Sequence, residues 1–156
     1  MRDTWSLDVL YTGFNDKRWS EDLKKLDDCV EKFQAFAARL SDENEKETIK
    51  EGLKLLEELE GLSAQMMIFC ELRGAADTRD KYSMSYEGVL SQKRNRTRAA
   101  ETKFAEYVAA RKNLEQDIKE DAFLTSYAYL LRNMAEDNRH LLSGDVEEAL
   151  AKMDIS

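Results

Sequence analysis

The chain has 156 residues, 42% of them hydrophobic and 36% charged, with a formal net charge of -8 and no proline. That is enough apolar material for one packed domain. The acidic balance disfavours nucleic acid or an anionic membrane surface as partner. The missing prolines favour long uninterrupted helices. No apolar run has the length of a signal peptide or a membrane span, so a cytoplasmic protein is expected. Cys29 and Cys70 stand far apart, outside any metal or redox spacing, and are read as two reduced thiols. The sequon Asn95-Arg-Thr97 is read as a chance match.

The opening holds both tryptophans, Trp5 and Trp19, with Leu7, Leu10, Tyr11 and Phe14 between them. Large rings bury their surface, so this stretch is expected to lie as an aromatic clasp across a helical body. A first helix is predicted from about Ser20, as its cap, to Leu40. Leu23, Leu26, Val30, Phe33, Ala37 and Leu40 recur at steps of three and four. Asn44 and Glu47 resemble a capping box for a second helix over about Glu45–Arg73. Its inward ladder is Ile49, Leu53, Leu56, Leu59 or Ser63, Met66 and Cys70, and Gly52 and Gly61 are each expected to weaken it. From Gln65 to Leu72 it is apolar nearly all round, which predicts cover on more than one side. Glu57, Glu58 and Glu60 read as a solvated acidic face rather than a cation site.

Gly74 is the expected stop of that helix and Asp77-Thr78 the expected cap of the next. A third helix is predicted over about Asp80–Leu114, with an interruption allowed, on the ladder Tyr82, Tyr86, Val89, Lys93, Thr97, Ala100, Phe104, Tyr107 and Arg111. Lys93, Arg94, Arg96, Arg98 and Lys103 crowd its middle without stacking aromatics. They read as a solvated face or as partners of the acidic second helix, not as a nucleic-acid site. A short turn at Leu114–Asp121 leads to a fourth helix over Ala122–Asp137, with Phe123, Tyr127, Leu130, Leu131 and Met134 inward. Ser143 would cap a last helix bearing Val146, Leu150 and Met153. The expected fold is all-α: one antiparallel bundle of four to five helices, two or three of them long. The first two should form a hairpin, because few residues separate them.

His140 is the sole histidine. It removes most catalytic chemistry from the chain. A zinc motif of two imidazoles one helical turn apart is absent, and so is a di-iron pair of Glu-x-x-His units. His140 and Ser143 are too close in sequence for a nucleophilic triad. His140 is read as structural. No catalytic, cofactor-binding or metal-binding residue is assigned.

Several stretches resemble one family. The opening reads W-x-L-x-x-L-Y-x-G-F-x-D from Trp5 to Asp16, then Trp19 and D-L-x-x-L over Asp22–Leu26. The segment Phe69-Cys-Glu-Leu72-Arg-Gly-Ala-Ala-Asp77-Thr78 ends in a Leu-x-x-x-x-D-T step. Tyr127–Arg132 precedes His140, Leu142, Ser143, Glu147 and Glu148, which match H-x-L-S-x-x-x-E. In this order they resemble the N-terminal helical lobe of oligoendopeptidase F-type zinc metallopeptidases, relatives of thimet oligopeptidase. The resemblance implies a non-catalytic lobe, truncated before its catalytic domain, that walls a channel open to short peptides. It implies zinc only in the parent's catalytic domain, and as partners that domain and short peptides, with a weak homodimer of the detached lobe. The alternative is a free-standing helical interaction module, docking through Gln65–Leu72 or through the tyrosine-bearing fourth helix.

Overall fold

A computed structural model of the chain describes residues 10–138. Within them there are helices and no strand, as the periodicity predicts. The helices are α1 (Lys17–Ala38), α2 (Glu45–Ala76), α3 (Lys81–Asn95), α4 (Arg98–Ala109), α5 (Leu114–Glu120), α6 (Ala122–Ser126) and α7, residues 128–138. The clasp residues Trp5 and Leu7 lie outside the described residues, as do His140, Ser143 and the predicted last helix.

α1 and α2 form the expected antiparallel hairpin. Trp19 at the start of α1 meets Phe69 late in α2, with ring centroids 5.6 Å apart. At the other end Arg39 pairs with Glu51 at 2.6 Å. α3 runs back along α2, where Arg94 pairs with Glu60. α4 continues in the same direction beside α1, with Phe104 5.7 Å from Phe36 and 6.1 Å from Phe33. The turn between α1 and α2 is held from α4. Tyr107 donates its hydroxyl to the Ser41 carbonyl at 2.7 Å. Arg111 stacks on Tyr107 and pairs with Asp42 and Glu45.

Two aromatic clusters anchor the core. At one end Tyr11, Phe14, Trp19, Phe69 and Tyr86 meet mostly edge to face, with centroids 4.8–5.6 Å apart. Tyr11 and Trp19 are fully buried, so this part of the clasp lies as expected. At the other end Phe33, Phe36 and Phe104 pack together, and Phe36 and Phe104 close on Gly52. A β-carbon there would stand 2.6 Å from Phe104 Cζ and 2.9 Å from Phe36 Cε2. Gly52 is therefore a packing requirement and not the weakness expected of it. Gly61, with no atom within 4 Å of such a carbon, is the ordinary helical glycine.

The helix boundaries depart from expectation for local reasons. Asp16, not Ser20, caps α1, its carboxylate accepting from Arg18 N at 2.9 Å. Asn44 makes no side-chain cap; it takes a left-handed φ of 51°, which asparagine tolerates. α2 runs through Gly74 to Ala76. Gly74 does not end the helix, and a β-carbon there would stand in ordinary contact with Ser83 Cβ, 3.8 Å away, so the packing makes no demand for glycine. Asp80, not Asp77-Thr78, caps α3 by accepting from Tyr82 N and Ser83 N. The third rod is interrupted at Arg96-Thr97, where buried Thr97 returns its hydroxyl to the Arg94 carbonyl at 2.7 Å.

Some inward faces are also rotated. In α3, Ser83 and Leu90 are buried while Tyr82 is 71% exposed. The fourth rod breaks at Tyr127. Across the break Leu124, Leu131, Ala135 and Asn138 are buried, and Leu130 faces outward. The stretch Gln65–Leu72 is covered on one side only: Met66, Phe69 and Cys70 are buried, whereas Ile68 and Leu72 are exposed.

Candidate functional site

The charged groups singled out in the sequence are mostly paired with one another. Glu60 takes Arg94, which also reaches Glu101 at 2.8 Å and Thr97 Oγ1 at 2.8 Å. Lys93 and Arg96 turn instead to Asp27 of α1, at 2.5 and 3.8 Å. Glu57 accepts the Tyr127 hydroxyl, and that bond to a carboxylate raises the tyrosine's pKa. The basic run of α3 is thus an intramolecular clamp across three rods. Among the described residues no group of three His, Cys, Asp or Glu side chains is placed to hold a metal ion.

Two of the grooves that open on the bundle concern residues singled out in the sequence. One, of about 670 Å³, lies where α2, α4 and α7 meet, with Leu56, Ala105, Leu130 and Met134 among its lining and Glu60, Arg94, Arg98 and Glu101 beside them. The other, of about 550 Å³, lies against the clasp between Phe14, Asp16, Arg73, Asp80, Tyr82 and Tyr86. Here the charged groups have partners. Arg73 lies 5.4 Å over the Phe14 ring and 3.4 Å from Asp80. Asp16 binds Arg18 at 2.7 Å and accepts from Thr12 N, which holds its carboxyl far below the usual carboxylate range. Burial acts to raise the Asp80 pKa, but bonds from Ser83, Arg73 and Tyr82 outweigh it and the net shift is downward. Behind this groove Tyr11 donates to Asp22 at 2.6 Å and accepts from Gln65 at 3.0 Å. Burial, then the Asp22 carboxylate, drives the phenol pKa strongly upward.

The cysteines are buried and unpaired with each other. Burial pushes the Cys70 thiol up to about 12 and raises that of Cys29 as well. Thiols held protonated are poor nucleophiles. His140 and Ser143 lie outside the described residues. What sequence reasoning missed is the set of capping aspartates, Asp16, Asp80 and Asp121, each one residue before its helix. The available signal was an aspartate directly preceding a helical period.

No family model, curated protein or solved structure matches the chain. Among the described residues no helix is long and apolar enough to cross a membrane.

Proposed function

We propose that this chain is the non-catalytic helical lobe of an oligoendopeptidase F-type metallopeptidase. In this reading it forms one wall of a channel that admits short extended peptides and excludes folded proteins. The observation that carries the reading is the order of the resembling motifs from Trp5 to Glu148. Their packing supports it. Two motif segments far apart in sequence, Tyr11–Trp19 and Phe69–Asp77, meet in the aromatic cluster at one end of the bundle, with Arg73 of the second over Phe14 of the first.

Zinc belongs to the catalytic domain of such an enzyme. With one histidine, this chain lacks the two-imidazole motif, and no step of peptide hydrolysis is assigned to its residues. The lobe's part is steric: a rigid helical surface that limits what reaches the reaction centre. The test is to incubate the purified chain with internally quenched peptides, with and without zinc and a chelator. The expected result is no turnover in any arm. Chelator-sensitive cleavage would overturn the reading.

A further inference from the structure

The outer stripe of α2 has two unlike halves. In the first half Lys46 and Lys50 reach Asp121 at 3.8 and 3.0 Å, Lys54 lies 5.4 Å from the Phe123 ring centre, and Glu57 takes the Tyr127 hydroxyl. Lys46 and Lys50 are half-buried at the corner around α6, whereas Lys54 and Glu57 are exposed and only touch it. At helical spacings of three and four, the same stripe continues as Gly61, Ala64, Ile68, Leu72 and Ala75. All five are exposed and none is charged. The first half has the corner around α6 for a neighbour, while the apolar half is open along its whole length.

The open half is shaped for a helix. It runs for ~20 Å at 1.5 Å per residue, and the empty space above Gly61 lets another backbone come close. Its border has one sign of charge. Between Lys54 and Arg73, α2 holds Glu57, Glu58, Glu60 and Glu71 and no lysine or arginine. Glu58 and Glu71 are exposed on opposite flanks of the stripe. With a net charge of -8 the chain repels a second copy of this face and an anionic membrane alike.

We propose that the face formed by Gly61, Ala64, Ile68, Leu72 and Ala75 docks a basic amphipathic helix of a protein partner. The partner's apolar side lies on Ile68 and Leu72, and lysines or arginines at its borders meet Glu58 and Glu71. Helix-on-helix docking of this kind is read through anchors at helical spacing, with border charges setting partner choice. The proposal goes beyond the peptidase reading and stands independently of it.

The test uses the whole chain and a labelled model peptide about four turns long, leucine on one face and lysine on the other, beside a counterpart with glutamate for lysine. Fluorescence anisotropy is expected to show salt-sensitive binding of the lysine peptide and at least about tenfold weaker binding of the glutamate peptide. Ile68→Lys weakens binding by at least about tenfold without changing the thermal midpoint, whereas Tyr129→Lys, an exposed aromatic elsewhere, leaves binding unchanged. Equal binding of both peptides, or indifference to Ile68→Lys, overturns the proposal. So does a lowered thermal midpoint in Ile68→Lys, which would place the stripe inside the chain's own packing. Sedimentation showing a dimer that Ile68→Lys abolishes would assign the face to a second copy and overturn it too.

Discussion

Replacing Gly52 and Gly61 separately by alanine asks one question at two places on the same helix. In each case alanine gains about 1 kcal/mol of helix propensity over glycine. At Gly61 nothing opposes the gain, because no heavy atom lies within 4 Å of the added carbon. At Gly52 the new methyl meets Phe104 Cζ at 2.6 Å and Phe36 Cε2 at 2.9 Å, well inside van der Waals contact. Both rings are fully buried and touch each other, so neither has free volume to move into. Overpacking of that kind costs about 1–3 kcal/mol. The upper part of that range applies to two closed-in rings, leaving Gly52→Ala destabilised by about 1–2 kcal/mol net. For a domain of this size each kcal/mol moves the thermal midpoint by roughly 2–4 °C. The expectation is a rise of roughly 2–4 °C for Gly61→Ala and a fall of roughly 2–8 °C for Gly52→Ala, measured by thermal melts followed in the far-ultraviolet circular dichroism of the helices. Stabilisation of both variants would refute the packing of α1, α2 and α4 around Phe104.

Other consequences follow from the polar groups. The carboxyls of Asp16, Asp80 and Asp121 have pKa values below their ordinary ones, so their contribution is fully present above the unfolded carboxylate pKa of about 3.9. It is lost as pH falls through the folded values, and urea midpoints should drop below about pH 4, less steeply in Asp16→Asn/Asp121→Asn. At neutral pH, Asp121→Ala should lower the thermal midpoint more than Asp121→Asn, because asparagine can still accept from Phe123 N and Leu124 N while losing the Lys50 ion pair. Cys29 and Cys70 should react with a thiol reagent at mildly alkaline pH only at the rate of opening, and fully once urea unfolds the chain. Rapid native labelling of either would contradict the core assignment.

The rods were legible because their apolar periods are long: Leu26, Val30, Phe33 and Ala37 in α1, and Ile49, Leu53, Leu56, Met66 and Cys70 in α2, are buried where the period put them. Termini were less legible, since several residues near each end have capping chemistry. Asn44 has cap chemistry but makes no side-chain cap bond, and Gly74 is a good stop residue that the helix runs through. The role of Gly52 was invisible because it depends on Phe104, a residue far away in the chain. Tyr82 belongs to a single apolar ladder only if the rod is continuous; with the break at Arg96-Thr97, α3 turns Ser83 and Leu90 inward instead. Pairing of the basic run with the acidic second helix is one of the two readings its charge pattern allows, and Arg94 makes it with Glu60. The run's pairing with Asp27 of α1 is in neither reading, since charge patterns do not report which of two acidic neighbours lies nearer.

The central claim, that this helical body serves as the wall of a larger peptidase, is tested most directly by reading the transcript beyond the codon for Ser156. The account predicts an open frame that later encodes H-E-x-x-H, two histidines one helical turn apart with the glutamate between them. A stop codon immediately after Ser156 would contradict it.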